Sequence, residues 1–123
     1  MAADAIEMEA VAGATMLPNL RVKIDSGGLV QLAGATDRAV GYLNHRGATT
    51  GQRCGFRLVN SPCTCGIANE AIAVGSVVYA GASGKVTDTA GTLIVGIAIS
   101  AALADGDAIN ILPVDGMVVA DTT

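Results

Sequence analysis

Four side chains in this sequence have the chemistry of a soft-metal or nucleophilic site: His45, Cys54, Cys63 and Cys65. In an extended backbone the two sulfurs of Cys63-Thr64-Cys65 fall on one face, because side chains two apart on a strand share a side. With His45 or Cys54 they would supply the three or four N/S ligands that zinc takes. Alternatively, His45 could act as a base towards Cys54 or Cys63. Neither pattern is complete. Structural zinc sites draw on two pairs of closely spaced ligands, and the sequence holds no second pair. No third group in a recognisable context would orient His45 as a base. Read from their surroundings, the cysteines are small buried apolar residues, and His45 is a solvated loop histidine between Asn44 and Arg46.

Two glycine motifs read the same way. Gly81-Ala82-Ser83-Gly84-Lys85 lacks the four-residue spacer and the following Ser/Thr of a phosphate loop. Asp105-Gly106-Asp107 lacks the further oxygen ligands of a calcium loop and has turn chemistry. Lys85, the lone lysine of the second half, would suit the hairpin tip of a biotinyl- or lipoyl-type carrier, but no flanking methionine or acidic residue accompanies it. The expectation is no catalytic residue, no metal and no cofactor, hence no enzyme. A carrier or ligand-binding β module is the alternative, with a small Cys/His enzyme or metal site behind it.

The elements that would position these residues are strands. Apolar residues make up 51% of the 123 residues and aromatic ones only 2%, so the core must be built from Ala, Val, Ile and Leu. Such side chains bury less area each than aromatic ones, which favours stabilisation by a partner copy. The 16 glycines, about twice the usual frequency of roughly 7%, are dispersed between apolar runs. They read as turns between many short strands. Strands are expected at 20–24, 29–32, 39–43, 53–59, 63–68, 76–79, 86–88, 93–100, 108–113 and 117–120, the last two joined by an Asp115-Gly116 hairpin turn. At 101–104 a single helical turn competes. No stretch is long and apolar enough to span a bilayer as a helix, and the N-terminus lacks the pattern of a secretory signal.

Within this punctuation one unit occurs twice. Ala39-Val40-Gly41-Tyr42-Leu43 leads to Thr50-Gly51, and Ile94-Val95-Gly96-Ile97-Ala98 leads to Asp105-Gly106. Gly28-Leu29-Val30 answers to Gly84-Lys85-Val86 with one residue of slip. The expected fold is all-β: a small β-barrel or β-tulip-like domain of about ten short strands, spanning 20–123, with pseudo-repeats at about 21–59 and 76–113. Residues 1–19 are set apart as an extended arm. Its Ala/Glu-rich start has weak helical character, and Pro18-Asn19 ends it.

Charge differs between the repeats. The net charge is −4, which argues against nucleic-acid binding through a basic surface. Residues 21–60 carry a net +4 and residues 61–123 a net −5. In a cyclic assembly the two would face each other between copies. Arg46, Arg53 and Arg57 against Asp105 and Asp107 are the expected contact, with Met16 and Leu17 of the arm reaching a neighbour.

The run Ala73-Val74-Gly75-Ser76-Val77-Val78-Tyr79, then Gly84-Lys85-Val86, Val95-Gly96-Ile97-Ala98, Ala104-Asp105-Gly106-Asp107 and Ile109-Asn110-Ile111 resembles the capsid decoration (cement, or head-stabilising) proteins of tailed bacteriophages. The first repeat matches more loosely, through Val40-Gly41 and Gly51, and its basic Gln52–Arg57 stretch departs from the pattern. The resemblance implies a structural virion protein, made in the host bacterial cytoplasm and bound to the outside of the assembled capsid. As a trimer it would stabilise contacts between major capsid subunits, with no nucleic-acid or membrane partner. No catalytic residue carries over. What carries over is the turn scaffold: Gly75, Gly84, Gly96 and Gly106, with Gly41 and Gly51 as counterparts in the first repeat.

Overall fold

The computed structural model describes residues 7–58, 64–91 and 93–113. Ten strands fill these segments: β1 (Glu7–Val11), β2 (Arg21–Ile24), β3 (Val30–Leu32), β4 (Gly41–Leu43), β5 (Arg53–Leu58), β6 (Thr64–Ile67), β7 (Val77–Ala80), β8 (Val86–Thr87), β9 (Ile94–Ala98) and β10 (Ala108–Pro113). A single 3-10 turn, Ala82–Gly84, precedes β8. The all-β expectation holds. Nine of the ten strands read from the sequence are present within a residue or two. The tenth, 117–120, and the Asp115-Gly116 turn lie outside the described residues. At 101–104 the chain is extended and bridges Ile72 through Ala102 rather than turning into a helix.

The strands form two antiparallel five-stranded sheets, in the orders β1-β5-β4-β2-β3 and β6-β10-β9-β7-β8. These orders are the same path walked twice. Registers repeat with them: Leu43 opposite Phe56 answers to Ala98 opposite Ile111, and Ala10 opposite Cys54 to Gly66 opposite Ile109. Each sheet curls until its two edges meet, at parallel bridges between Ala12 and Val30 and between Ala68 and Val86. Such closure removes much of the exposed edge that a flat sheet would offer.

The repeat is longer than its glycines suggest. It begins at β1 and β6, so residues 7–16, assigned to the arm on sequence, belong to the first unit. β1 pairs along its length with β5, and Met16 bridges Ala48 and is buried. Helical character there gives way to a strand because Ala10 and Ala12 sit against a sheet that needs a fifth strand.

Eight buried residues form the first core: Ala12, Met16, Val22, Val30, Leu43, Ala48, Cys54 and Phe56. The second core holds their counterparts Ala68, Ile72, Val78, Val86, Ala98, Ala102, Ile109 and Ile111, together with Tyr42 from the first unit. Two counterpart pairs shrink, Leu43 to Ala98 and Phe56 to Ile111. Tyr42 enters the second core and fills space that the first unit fills by itself.

Candidate functional site

The densest polar arrangement lies between the two units. At its centre β2, β4 and β5 place Arg21, Tyr42 and Arg57 in one row across the first sheet, since Arg21 pairs with Tyr42 and Tyr42 with Arg57. Alternation turns these three to the face opposite the first core, and the second unit covers that face.

Arg21 is 1% exposed. Its Nη1 donates to the carbonyl oxygens of Ala33 at 3.4 Å, Gly81 at 3.2 Å and Lys85 at 3.3 Å. Its Nη2 donates to those of Gly34 at 3.2 Å and Asp37 at 3.0 Å. Five carbonyls from two loops thus replace water around the cation, while Nε has no hydrogen-bond partner among the described residues. Burial lowers the Arg21 pKa, opposed by the Tyr42 hydroxyl and the Asp37 carboxylate. The Asp37 pKa lies below the usual carboxylate range because its Oδ2 accepts from the Gly34 backbone N–H at 2.9 Å, and then from Lys23 Nζ at 3.0 Å. Burial raises the Tyr42 hydroxyl to about 12. Arg57 Nη2 donates to Asn19 Oδ1 at 3.1 Å and to the Cys65 carbonyl at 3.2 Å, which ties β5 to β6.

This row is a staple between units. Its cation is surrounded by backbone carbonyls that already accept from it. Sequence alone did not single out Arg21 or Tyr42. Arg21-Val22-Lys23-Ile24 looks like a half-solvated strand, and nothing local marks its polar face as covered.

The residues expected at an interface are distributed differently. Arg53 Nε donates to Glu9 Oε1 at 3.3 Å, an exposed pair within the first unit. Asp105 Oδ1 accepts from Lys85 Nζ at 2.9 Å within the second. Asp107 Oδ2 accepts the backbone N–H groups of Leu103 at 2.8 Å and Ala104 at 3.1 Å, closing its turn. Arg46 is exposed in a turn, Leu17 is exposed, and Met16 is in the core. Of the six glycines read as turns, Gly51, Gly75, Gly84 and Gly106 lie in turns, whereas Gly41 and Gly96 lie inside β4 and β9. Gly51, Gly75, Gly84 and Gly106 have positive φ. At Gly41 and Gly96 a Cβ would lie 2.1 Å from the Arg57 carbonyl oxygen and 2.2 Å from that of Leu112.

Among the described residues, His45, Cys54 and Cys65 sit in three different surroundings. His45 is exposed in the turn after β4. Cys54 is buried in the first core, and burial followed by the nearby Glu9 carboxylate raises its thiol pKa. Cys65 is half-buried on β6, and Cys63 lies outside the described residues. Among the described residues no group of three or more His, Cys, Asp or Glu is placed to hold a metal ion. No helix of the described residues is long and apolar enough to cross a membrane.

One pair of acids does interact. Glu70 Oε2 accepts from Thr87 Oγ1 and, at 2.9 Å, from Thr89 Oγ1. The hydrogen bond from Thr87, with those from Thr89 and Asp88, lowers the Glu70 pKa, whereas the Glu70 partner raises that of Asp88. Divided proton affinities also mark acid–base sites. Here Glu70, Thr87 and Thr89 border a wide, open depression beside Asn69, Ala80 and Gly81.

No family model matches the chain, and no curated protein matches it in sequence. Among solved structures, the chain is similar in fold to the N base of the head fiber gp8.5 of bacteriophage phi29, with a TM-score of 0.71 and 16% sequence identity, over 90% of this chain and 95% of that one. At this identity the likeness is one of fold.

Proposed function

We propose that this protein is a structural component of a bacteriophage virion, bound as a trimer to the outside of the assembled capsid, where it stabilises contacts between major capsid subunits. The observation that carries the reading is the fold likeness to a phage head-fiber base along nearly the whole of both chains. The polar groups support it: Arg21, Arg57, Lys85 and Asp107 are committed to internal contacts, which suits a scaffold. A component that binds only the intact shell stabilises it by mass action.

Heads lacking the protein test this. Added back, the protein is expected to co-sediment with mature heads and to raise the temperature at which they release DNA. Recovery of all the protein in the supernatant, with an unchanged release temperature, overturns the reading.

A further inference from the structure

The interface between the two units has two sides, and each side has a counterpart elsewhere in the chain that the described residues leave open. On one side is the row Arg21–Tyr42–Arg57, which the second unit covers. Its counterpart is Val77–Ile97–Leu112, also one row across β7, β9 and β10. Val77 is 41% exposed and Leu112 48% exposed, and Ile99 is exposed next to them. On the other side are β6 and the 3-10 turn. Tyr42 enters there beside Gly66, and a Cβ at Gly84 would lie 2.9 Å from the Arg21 carbonyl oxygen and 3.1 Å from Leu20 Cβ. The counterparts of these are β1 and the Asp25–Leu29 turn. A Cβ at Gly28 would meet nothing within 4 Å. Met8, on the core-facing side of β1 opposite Phe56, is 52% exposed, and Ile24 and Leu29, at the ends of the Asp25–Leu29 turn, are exposed as well.

We propose that these two open surfaces bind each other between copies of the chain: the Val77–Ile97–Leu112 row of one copy docks on the β1 edge and Asp25–Leu29 turn of the next, head to tail, repeating the contact that joins the units within the chain. The occupant is a second copy because the covered interface is continuous with the open ones by the duplication itself. Side-chain sizes agree. Inside the chain a large ring, Tyr42, enters beside a residue with no side chain, Gly66. Between copies Ile97 would enter beside Ala10, into a core already filled by Leu43 and Phe56. Chemistry agrees as well. The two arginines that need carbonyl partners inside the chain are replaced by Val77 and Leu112, and loss of charge at the centre is the compositional mark of an interface core. A head-to-tail contact uses different patches on the two partners and closes into a ring when its rotation allows. The proposal rests on the self-association in the proposed function and is independent of capsid binding.

Sedimentation of the free full-length protein tests it, with circular dichroism melts to show that each variant folds. Wild type is expected to sediment as a closed oligomer. Leu112→Glu on one surface and Met8→Asp on the other are each expected to sediment at the mass of one chain. Val77→Glu serves as a second variant on the Leu112 surface should Leu112→Glu not fold. An equimolar mixture of the Leu112 and Met8 variants keeps one intact head and one intact tail, so it is expected to give the two-chain mass. Wild type at one-chain mass at all concentrations overturns the docking, including the case in which the chain's own C-terminal segment covers the row. So does an unchanged mass in both the Leu112 and Val77 variants, or a mixture that stays at one chain. A closed ring of other than three copies upholds the docking and overturns the trimer.

Discussion

Tyr42 in the first unit stands against Gly66 in the second: a Cβ at position 66 would lie 3.4 Å from Tyr42 Cε2 and 2.8 Å from Ile111 Cδ1. The missing side chain at 66 makes the opening through which the ring reaches the second core. Tyr42→Ala should therefore destabilise the protein by about 3–5 kcal/mol, the usual loss for a deleted buried aromatic ring. The loss should appear as a lowered urea midpoint. Gly66→Val should destabilise by about 1–3 kcal/mol through overpacking.

Burial also gives Tyr42 a pH signature. Its hydroxyl is raised from the ordinary 10.0 to about 12, so the folded chain keeps a proton that the unfolded chain releases. The resulting stability is complete below pH 10 and declines as pH rises towards 12. At about 1.4 kcal/mol per pH unit the loss approaches roughly 3 kcal/mol. Denaturant melts across that range should show the decline in wild type and a flatter profile in Tyr42→Phe.

Arg21 joins the loop before β4 to the loop before β8 through five carbonyls. Arg21→Met has a similar length but leaves those carbonyls without their donor in a buried site. A loss of about 3 kcal/mol or more is expected in chemical denaturation. Arg21→Lys restores the charge but lacks the planar fork that reaches both loops, and it should recover only part of the loss.

Gly41 and Gly96 lie opposite a neighbouring strand's backbone, where a methyl group has no room. Gly41→Ala and Gly96→Ala should each destabilise at or beyond the upper end of the ~1–3 kcal/mol typical of overpacked sites. Gly51 has φ +83° but open space around its Cβ position. Gly51→Ala should cost only the backbone strain of about 1–2 kcal/mol. Thermal melts of the three variants would separate the two mechanisms.

Sequence by itself determined β2 to β10 to within a residue or two, most of the turns and the existence of two copies. Alternation in Ala108-Ile109-Asn110-Ile111 and positive-φ glycines such as Gly106 act over a few residues, so local pattern records them. It did not determine where the repeat starts. The segment 7–16 has few β-branched residues, and it becomes β1 only because the curled sheet supplies β5 and Val30 as partners.

Which face of a strand is covered was decided by tertiary structure alone. Arg21, Tyr42 and Arg57 have the composition of a solvated row, yet the second unit buries the first two and half-buries the third. Val77, Ile97 and Leu112 have the composition of a core row, yet Val77 and Leu112 lie exposed. The physical reason is that burial depends on what another part of the chain brings across the sheet. A cation can be solvated there by carbonyls as well as by water, and neither fact leaves a trace in local periodicity.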